Sequence, residues 1–242
     1  MKRVLWLTVV FVLLCSGVTL LYAGAFAVAK RSASMPAFSP QKGVEAPVRE
    51  EKDGGVFPVL VEGTTLVAES LALYEGDMLE KDSEEFLVDA AALELRNFGN
   101  REVTMAEITL AFPHTKMVFF GTNIPPGGRV LIIEQEGKPW TESSFTTCSG
   151  WARYGSGSSL LDDTLRIQDV DMGSVLVSNT TDQTLNDVWF YYKNYLYEDD
   201  LYVGGITYVE VIPTLEPGEQ ILLLPARYAS GYSKFVKAEA VG

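Results

Sequence analysis

The sequence has little of the chemistry on which most enzymes and metal proteins depend. Its 242 residues include two cysteines, Cys15 and Cys148, and one histidine, His114. Cys15 lies in an apolar N-terminal run, so Cys148 has no intramolecular partner outside that run, and no disulfide scaffold is expected. One histidine and one external cysteine do not supply a zinc site without carboxylates. A catalytic triad would have to use His114, and no Gly-x-Ser-x-Gly motif surrounds a candidate serine.

Basic residues are also scarce. The chain has 19 Lys and Arg against 32 Asp and Glu, which gives a formal net charge of −13. Lys2 and Arg3 precede residue 29 and every acid follows it, so the rest of the chain has 17 basic and 32 acidic residues, a net charge of −15. Such a surface repels phosphate backbones. We therefore expect no nucleic-acid partner.

Carboxylates are plentiful, but they do not form a recognised motif. The clusters are Asp162-Asp163, Asp169 with Asp171, and Glu198-Asp199-Asp200. None has the EF-hand spacing with its glycine and closing glutamate, so we expect no metal site and no cofactor. Carboxylate pairs for glycoside cleavage are set by space rather than by sequence, so a hydrolase acting on cell-wall or glycan material stays open as an alternative. Because no other element of a catalytic site is present, the sequence predicts a protein that is not an enzyme.

The first 31 residues are predicted to be a membrane-targeting segment. Lys2-Arg3 is followed by 26 uncharged residues, 4–29, and Lys30-Arg31 ends the run. At about 1.5 Å per residue, a helix of that length crosses a hydrocarbon core of about 30 Å. This predicts a signal anchor at the cell membrane, with the C-terminal part outside. The alternative is a signal peptide cleaved near residues 25–29, where alanines recur at alternate positions, which would give a secreted protein.

Residues 32–56 are predicted to be a flexible spacer, because three prolines, charges of both signs and Gly54-Gly55 interrupt any periodicity.

After the spacer, short β-rich runs alternate with turn residues, and their order recurs. The matching segments are Leu95-Arg96-Asn97 with Val177-Ser178-Asn179, Ile124-Pro125-Pro126-Gly127 with Leu215-Glu216-Pro217-Gly218, and residues 130–133 with 221–224. Such a recurrence indicates a duplication.

The predicted fold class is therefore mainly β, with an N-terminal transmembrane or signal helix followed by two β-sandwich modules of immunoglobulin or fibronectin III type. A Gly- and Ser-rich stretch at residues 155–159 separates the modules, which are predicted to span residues 57–155 and 160–242.

The second module is rich in aromatic residues around Trp189-Phe190-Tyr191-Tyr192. On a strand, Val188, Phe190 and Tyr192 would face one way and Trp189 and Tyr191 the other, and one of these faces must be core. The other face is a candidate binding surface for a protein or a glycan. Its candidate residues are Trp189, Tyr191, Tyr195 and Tyr197. The alternative is that sheet packing or the neighbouring module covers both faces.

Four segments of the second module carry a resemblance to known proteins. They are Asn179, Val188-Trp189-Phe190-Tyr191-Tyr192-Lys193-Asn194, Tyr202-Val203-Gly204-Gly205-Ile206-Thr207-Tyr208 and Leu215-Glu216-Pro217-Gly218-Glu219. With these segments the second module resembles a module of uncharacterised exported or membrane-anchored proteins of Gram-positive gut bacteria, which carry repeated immunoglobulin-like β-sandwich modules. The resemblance covers about residues 164–238 and, more weakly, residues 87–154. It implies a fold and a location outside the cytoplasm, and it implies no chemistry.

From these observations we expect a non-catalytic extracytoplasmic surface or envelope protein, whose tandem β-sandwich modules serve for binding or presentation. One alternative is the carboxylate-based hydrolase. Another is an accessory subunit of a membrane complex, in which Gly17 and Gly24 would allow close packing of the apolar segment against other helices.

Overall fold

The computed structural model describes residues 57–81, 85–140, 144–155, 159–161 and 163–240, which belong to one compact unit. The predicted anchor or leader (residues 1–31) and the spacer (residues 32–56) lie outside the described residues. In the part of the chain that is described, no helix has the length and hydrophobicity needed to cross a membrane.

The described residues form a mainly β fold, as the sequence predicts. Its strands, in chain order, are β1 (Val59–Leu60), β2 (Leu66–Asp77), β3 (Phe86–Asn97), β4 (Val103–Ala111), β5 (Lys116–Ile124), β6 (Arg129–Ile133), β7 (Thr147–Tyr154), β8 (Leu165–Asp171), β9 (Ser174–Asn179), β10 (Leu185–Leu196), β11 (Leu201–Leu215), β12 (Gln220–Leu223) and β13 (Ser233–Ala240).

These strands pack as layered sheets in a sandwich-like arrangement. A seven-stranded sheet has the order β1-β2-β3-β6-β11-β10-β13, and two three-stranded sheets have the orders β5-β4-β7 and β12-β9-β8. One core lies between β3 and β6 on one side and β4 and β5 on the other, and another lies between β9 and β10. Alternate side chains of each strand fill these cores, as the period of a β-strand requires.

The repeat in the sequence corresponds to a repeat in strand order. Within the first half, β2-β3-β6 pack over β5-β4-β7, and within the second half, β8-β9-β12 and β11-β10-β13 have the same order. The pairing register also agrees, because Leu95 pairs with Val130 in the first repeat and Val177 pairs with Ile221 in the second.

The two repeats are not separate sheets. β6 of the first repeat pairs with β11 of the second in parallel, with Tyr202 opposite Val130 and Val203 opposite Leu131. The seven-stranded sheet therefore joins strands from both predicted modules, and the boundaries 57–155 and 160–242 stay a prediction.

A buried asparagine lies at the end of the equivalent strand in each repeat and bonds to two turns. The side-chain amide of Asn97 donates to the carbonyls of Arg101, Ile124 and Pro125 at 2.8, 3.2 and 3.3 Å. The amide of Asn179 donates to the carbonyls of Gln183, Leu215 and Glu216 at 2.7, 3.1 and 3.2 Å. In each repeat the asparagine thus holds the turn after its own strand and the Pro-Gly turn that leads into the paired strand.

We expect Asn97→Ala to lower the free energy of unfolding by about 2–3 kcal/mol, because it removes the amide donor from the buried carbonyl of Ile124 and from the carbonyls of Arg101 and Pro125. Urea denaturation of the purified chain measures the loss. Asn100→Ala, at an exposed position in the following turn, is the control and should change stability by less than about 0.5 kcal/mol. Equal effects of the two substitutions would contradict the role assigned to Asn97.

Candidate functional site

The outer surface of β10, β11 and β13 carries the predicted aromatic residues. Val188, Phe190 and Tyr192 are buried in the core, whereas Trp189 is 37% exposed and Tyr191 is half-buried, so the predicted orientation of this strand is confirmed. Trp189 and Tyr191 are two residues apart, and their ring planes are inclined by only 28° with centroids 6.5 Å apart. The two rings therefore present one broad surface.

Cross-strand neighbours extend this surface in both directions. Val211 and Glu239 lie opposite Trp189, and Val209 and Lys237 lie opposite Tyr191. Residues that are directly opposite on paired strands share a face of the sheet. We call the set of Trp189, Tyr191, Val209, Val211, Lys237 and Glu239 the aromatic face. Sequence reasoning missed the four residues that flank the rings, because their position beside Trp189 and Tyr191 follows from the register of three strands.

Polar groups at one side of the aromatic face are fixed in place. The Tyr191 phenol donates to Glu239 Oε1 at 2.6 Å, and Lys237 Nζ lies 4.6 Å from the Tyr191 ring centroid. Burial and the hydrogen bond to Glu239 raise the pKa of Tyr191 well above its ordinary value. The phenol therefore stays protonated at neutral pH. The face offers flat apolar rings beside an oriented carboxylate and ammonium.

The other two candidate residues lie elsewhere on the second repeat. Tyr195 is only 4% exposed and belongs to the core, where its ring contacts Tyr202 at a centroid distance of 4.9 Å and its hydroxyl bonds to Asp200. Tyr197 is exposed, packs edge-on against Tyr195 and donates to the carbonyl of Ser233. Tyr195 is therefore removed from the candidate surface, because a register shift between Tyr192 and Asn194 breaks the alternation of β10 before Tyr195.

A cleft of about 530 Å³ borders Lys237. Lys237 Nζ lies 3.1 Å from Glu102 Oε2, and Arg101 binds the carbonyl of Gly155 at 3.1 Å. Lys237 thus belongs both to the cleft and to the aromatic face. The residues lining the cleft are Asn100, Arg101, Glu102, Pro125, Pro126, Gly155, Ser159, Val236 and Lys237.

A buried pair of opposite charges lies where the two repeats join. Glu80 accepts hydrogen bonds from the backbone N–H groups of Ile133 and Gly205, the latter at 2.7 Å. Lys193 donates to the carbonyls of Gly204, Gly205 and Ile206 at 3.2, 2.8 and 2.7 Å. Burial raises the pKa of Glu80, and burial lowers the pKa of Lys193 to about 7, against the attraction of Glu80.

Two adjacent glycines within a strand-like run predict a bulge or a close backbone approach, and Gly204-Gly205 forms such a pair. The pair lies at this junction. A Cβ atom on Gly205 would be 1.8 Å from the carbonyl oxygen of Phe120, so the prediction of a close approach is confirmed. Lys193 itself was missed as a structural residue. The signal in the sequence is its place in Tyr191-Tyr192-Lys193-Asn194-Tyr195, where a single cation lies among the aromatic residues of one strand.

The remaining residues with reactive side chains have structural settings. His114 is exposed in the turn between β4 and β5. Asp169 accepts from the hydroxyls of Tyr228 and Ser230, and Asp171 accepts from the backbone of Gly173. Burial raises the pKa of the Cys148 thiol to about 11, so it is a poor nucleophile at neutral pH. Among the described residues, no group of three or more His, Cys, Asp or Glu side chains is arranged to hold a metal ion.

Neither a protein-family model nor a curated protein sequence matches this chain.

We expect Lys193→Met to destabilise the chain more at pH 8 than at pH 5. In the wild type, burial lowers the pKa of Lys193 to about 7, so the folded chain binds fewer protons than the unfolded chain between pH 7 and 8 and gains stability there, and the variant lacks this gain. Without Lys193, the pKa of Glu80 lies still further above its ordinary value, so the folded variant binds more protons than its unfolded chain as the pH rises from 5 to 8. Stability then falls as pH rises through the window, by on the order of 1–2 kcal/mol between the two pH values. Urea denaturation of the variant and the wild type at pH 5 and pH 8 measures the difference.

The double variant Lys193→Met with Glu80→Gln separates this electrostatic effect from lost packing, because it has no buried carboxylate to titrate. We expect Lys193→Met to lose stability relative to the double variant by on the order of 1–2 kcal/mol as the pH rises from 5 to 8, because the two chains differ only in Glu80. Lys234→Met, at a partly exposed position on β13, controls for the loss of a charge. A loss for Lys193→Met that is equal at both pH values would contradict the coupling of Glu80 to Lys193.

Proposed function

We propose that this chain is a non-catalytic protein of the cell surface or envelope, and that its tandem immunoglobulin- or fibronectin III-like modules bind a glycan through the aromatic face. The observation that carries this proposal is the pair of near-parallel rings of Trp189 and Tyr191 on an outer sheet surface. Exposed aromatic rings combine a large apolar area with little conformational entropy to lose, which suits them to recognition.

The size of the aromatic face favours a glycan over a protein partner. A specific protein interface buries about 800 Å² on each side, with roughly 20–30 residues. The aromatic face has four apolar side chains, and Val209 and Val211 are only 40% and 43% exposed. A sugar ring has an apolar face of C–H groups that matches one aromatic ring, and its hydroxyls match an oriented carboxylate and ammonium such as Glu239 and Lys237.

The composition of the chain supports a location outside the cytoplasm. Residues 1–31 have the charge flanks and the apolar length of a signal anchor, and the net charge of −15 beyond residue 29 suits a domain that stays soluble next to a membrane. In this arrangement the spacer 32–56 would hold the β modules away from the lipid surface, with the aromatic face accessible to glycans of the envelope or its surroundings.

We expect Trp189→Ala to weaken glycan binding at least tenfold, since removing one stacked ring costs about 1.4 kcal/mol or more. A glycan array screened with the full-length chain in detergent identifies a ligand, and titration calorimetry measures its affinity for each variant. Trp151→Ala is the matched control, because Trp151 is 40% exposed on β7, outside the aromatic face, and its loss should leave the affinity unchanged.

Two results would count against the glycan proposal. One is equal loss of affinity for Trp189→Ala and Trp151→Ala, which would place binding elsewhere. The other is the absence of any glycan ligand together with a protein that crosslinks to the chain only when Trp189 is present, which would assign the aromatic face to a protein partner.

The location has its own test. We expect the chain recovered from its native host to have its full-length mass and to be in the membrane fraction, because residues 4–29 are long enough to span the bilayer. Intact mass spectrometry of each cell fraction measures this. A mass that begins near residue 26, 28 or 30, found in the medium, would replace the anchor with a cleaved leader.

A further inference from the structure

The cleft that borders Lys237 lies beside the aromatic face and has walls from both repeats. The first repeat supplies residues 100–102 and Pro125-Pro126, and the second supplies Val236 and Lys237 of β13. Its volume of about 530 Å³ is that of a site for a small ligand, for which about 300–1,000 Å³ is usual. Lys237 pairs with Tyr191 across the strands, so the cleft begins next to the Tyr191 ring. A ligand stacked on the aromatic face can therefore continue into the cleft.

One wall of the cleft contains a carboxylate with an unused acceptor. Lys237 Nζ lies 3.1 Å from Glu102 Oε2, and the two side chains are only 15% and 14% exposed. The other oxygen, Glu102 Oε1, is buried and has no hydrogen-bond partner among the described residues. A buried acceptor without a donor costs free energy. The terminal torsion of a glutamate is soft, so a small rotation of the carboxylate presents this oxygen to a donor in the cleft.

The fold of the repeat does not require this carboxylate. The amides of Asn97 and Asn179 hold equivalent turns. The residue five positions further on is Glu102 in the first repeat and an exposed threonine, Thr184, in the second. A threonine therefore suffices to complete the turn. The ion pair with Lys237 explains one oxygen of Glu102, and Oε1 is left for another role.

The surroundings of Glu102 select a neutral donor that carries an apolar group. Lys237 and Arg101 also line the cleft, so they repel a ligand cation, whereas Glu102 itself repels a ligand anion. Pro126 and Val236 add apolar surface to the same cleft. An acetamido group has this combination, because it is uncharged and joins an N–H donor to a carbonyl and a methyl group.

We propose that the cleft is a second subsite of the glycan site and that it takes an N-acetylated amino sugar at the end of a linear oligosaccharide. The neighbouring sugars of the same chain stack on the aromatic face. The acetamido N–H donates to Glu102 Oε1, and its methyl group packs against Pro126 and Val236. The amide of Asn100 is placed to bind the acetamido carbonyl. This inference rests on the glycan proposed for the aromatic face and adds the chemical class of that glycan.

Two pentasaccharides that differ in one substituent test the subsite. The β-1,4-linked pentamer of N-acetylglucosamine has an acetamido group at C2 of each sugar, and cellopentaose has a hydroxyl there. Titration calorimetry with the full-length chain in detergent measures both affinities. We expect the N-acetylglucosamine pentamer to bind at least tenfold more tightly than cellopentaose. Trp189→Ala should weaken both pentamers to a similar degree, because stacking on the aromatic face is common to both.

Substitutions in the cleft should remove the preference for the acetamido group. Asn100→Trp fills the cleft from an exposed turn position, and Glu102→Thr introduces the residue that the second repeat has there. We expect each to reduce the preference to below threefold while cellopentaose binding changes less than threefold. The matched control is Asp182→Trp, at the exposed position of the second repeat equivalent to Asn100, which should keep the preference.

The outcomes separate the subsite from the aromatic face. Equal affinities for the two pentamers, or a preference that both Asn100→Trp and Glu102→Thr leave unchanged, would overturn the assignment of the cleft. The glycan proposal for the aromatic face would still hold in that case if Trp189→Ala weakened binding. Failure of both pentamers to bind would also overturn the assignment of the cleft, and the glycan array then decides the role of the aromatic face by itself.

Discussion

The parallel pairing of β6 with β11 is the contact on which the rest of this structure depends. It joins the two repeats in one seven-stranded sheet, although only two residue pairs form the ladder. Such a short ladder is stabilised by what surrounds it: Leu201 and Val203 bury their side chains against Leu131 and Ile133. The contact also requires Gly205, because the carbonyl of Phe120 occupies the space of any side chain there.

The polar part of the same junction explains why a lysine and a glutamate are buried in it. Where β11 leaves β6, the backbone groups of residues 204–206 have no strand partner on that side, and buried polar groups without partners are costly. Lys193 supplies donors to three carbonyls, and Glu80 supplies acceptors to two N–H groups. Because the two charges are opposite, burying both costs less free energy than burying either charge alone. Their hydrogen bonds take the place of the missing ladder.

The sequence predicts the local features of this fold well, because they depend on short-range rules. The paired turns at Asn97 and Asn179 and the Pro-Gly turns after them recur with the same residues, and the structure gives them the same hydrogen bonds. The two faces of β10 follow from the period of a strand. The burial of Tyr195 could not be predicted in this way, since the same alternation that exposes Trp189 says nothing about which neighbour covers a ring near the end of the strand.

The features missed by sequence reasoning depend on contacts between distant segments. The aromatic face needs the register of β10 with both β11 and β13, and the sequence alone does not give that register. The union of the two repeats depends on a hairpin that is longer in the second repeat than in the first. The sequence shows the extra length of this hairpin. The same sequence would fit two separate sandwiches in which the extra residues form a long loop. The pairing of β6 with β11 and the placement of Gly205 against Phe120 distinguish the two arrangements.

The excess of acidic residues limits which partners the aromatic face can take. A net charge of −15 beyond residue 29 repels anionic partners over roughly a Debye length, about 8 Å at physiological salt. On the aromatic face this repulsion is accompanied by the local apolar attraction of Trp189 and Tyr191. Lys237, the cation of this face, already lies 3.1 Å from Glu102 and 3.4 Å from Glu239, so it does not offset the repulsion of an acidic ligand. The aromatic face therefore favours neutral or basic partners over acidic ones.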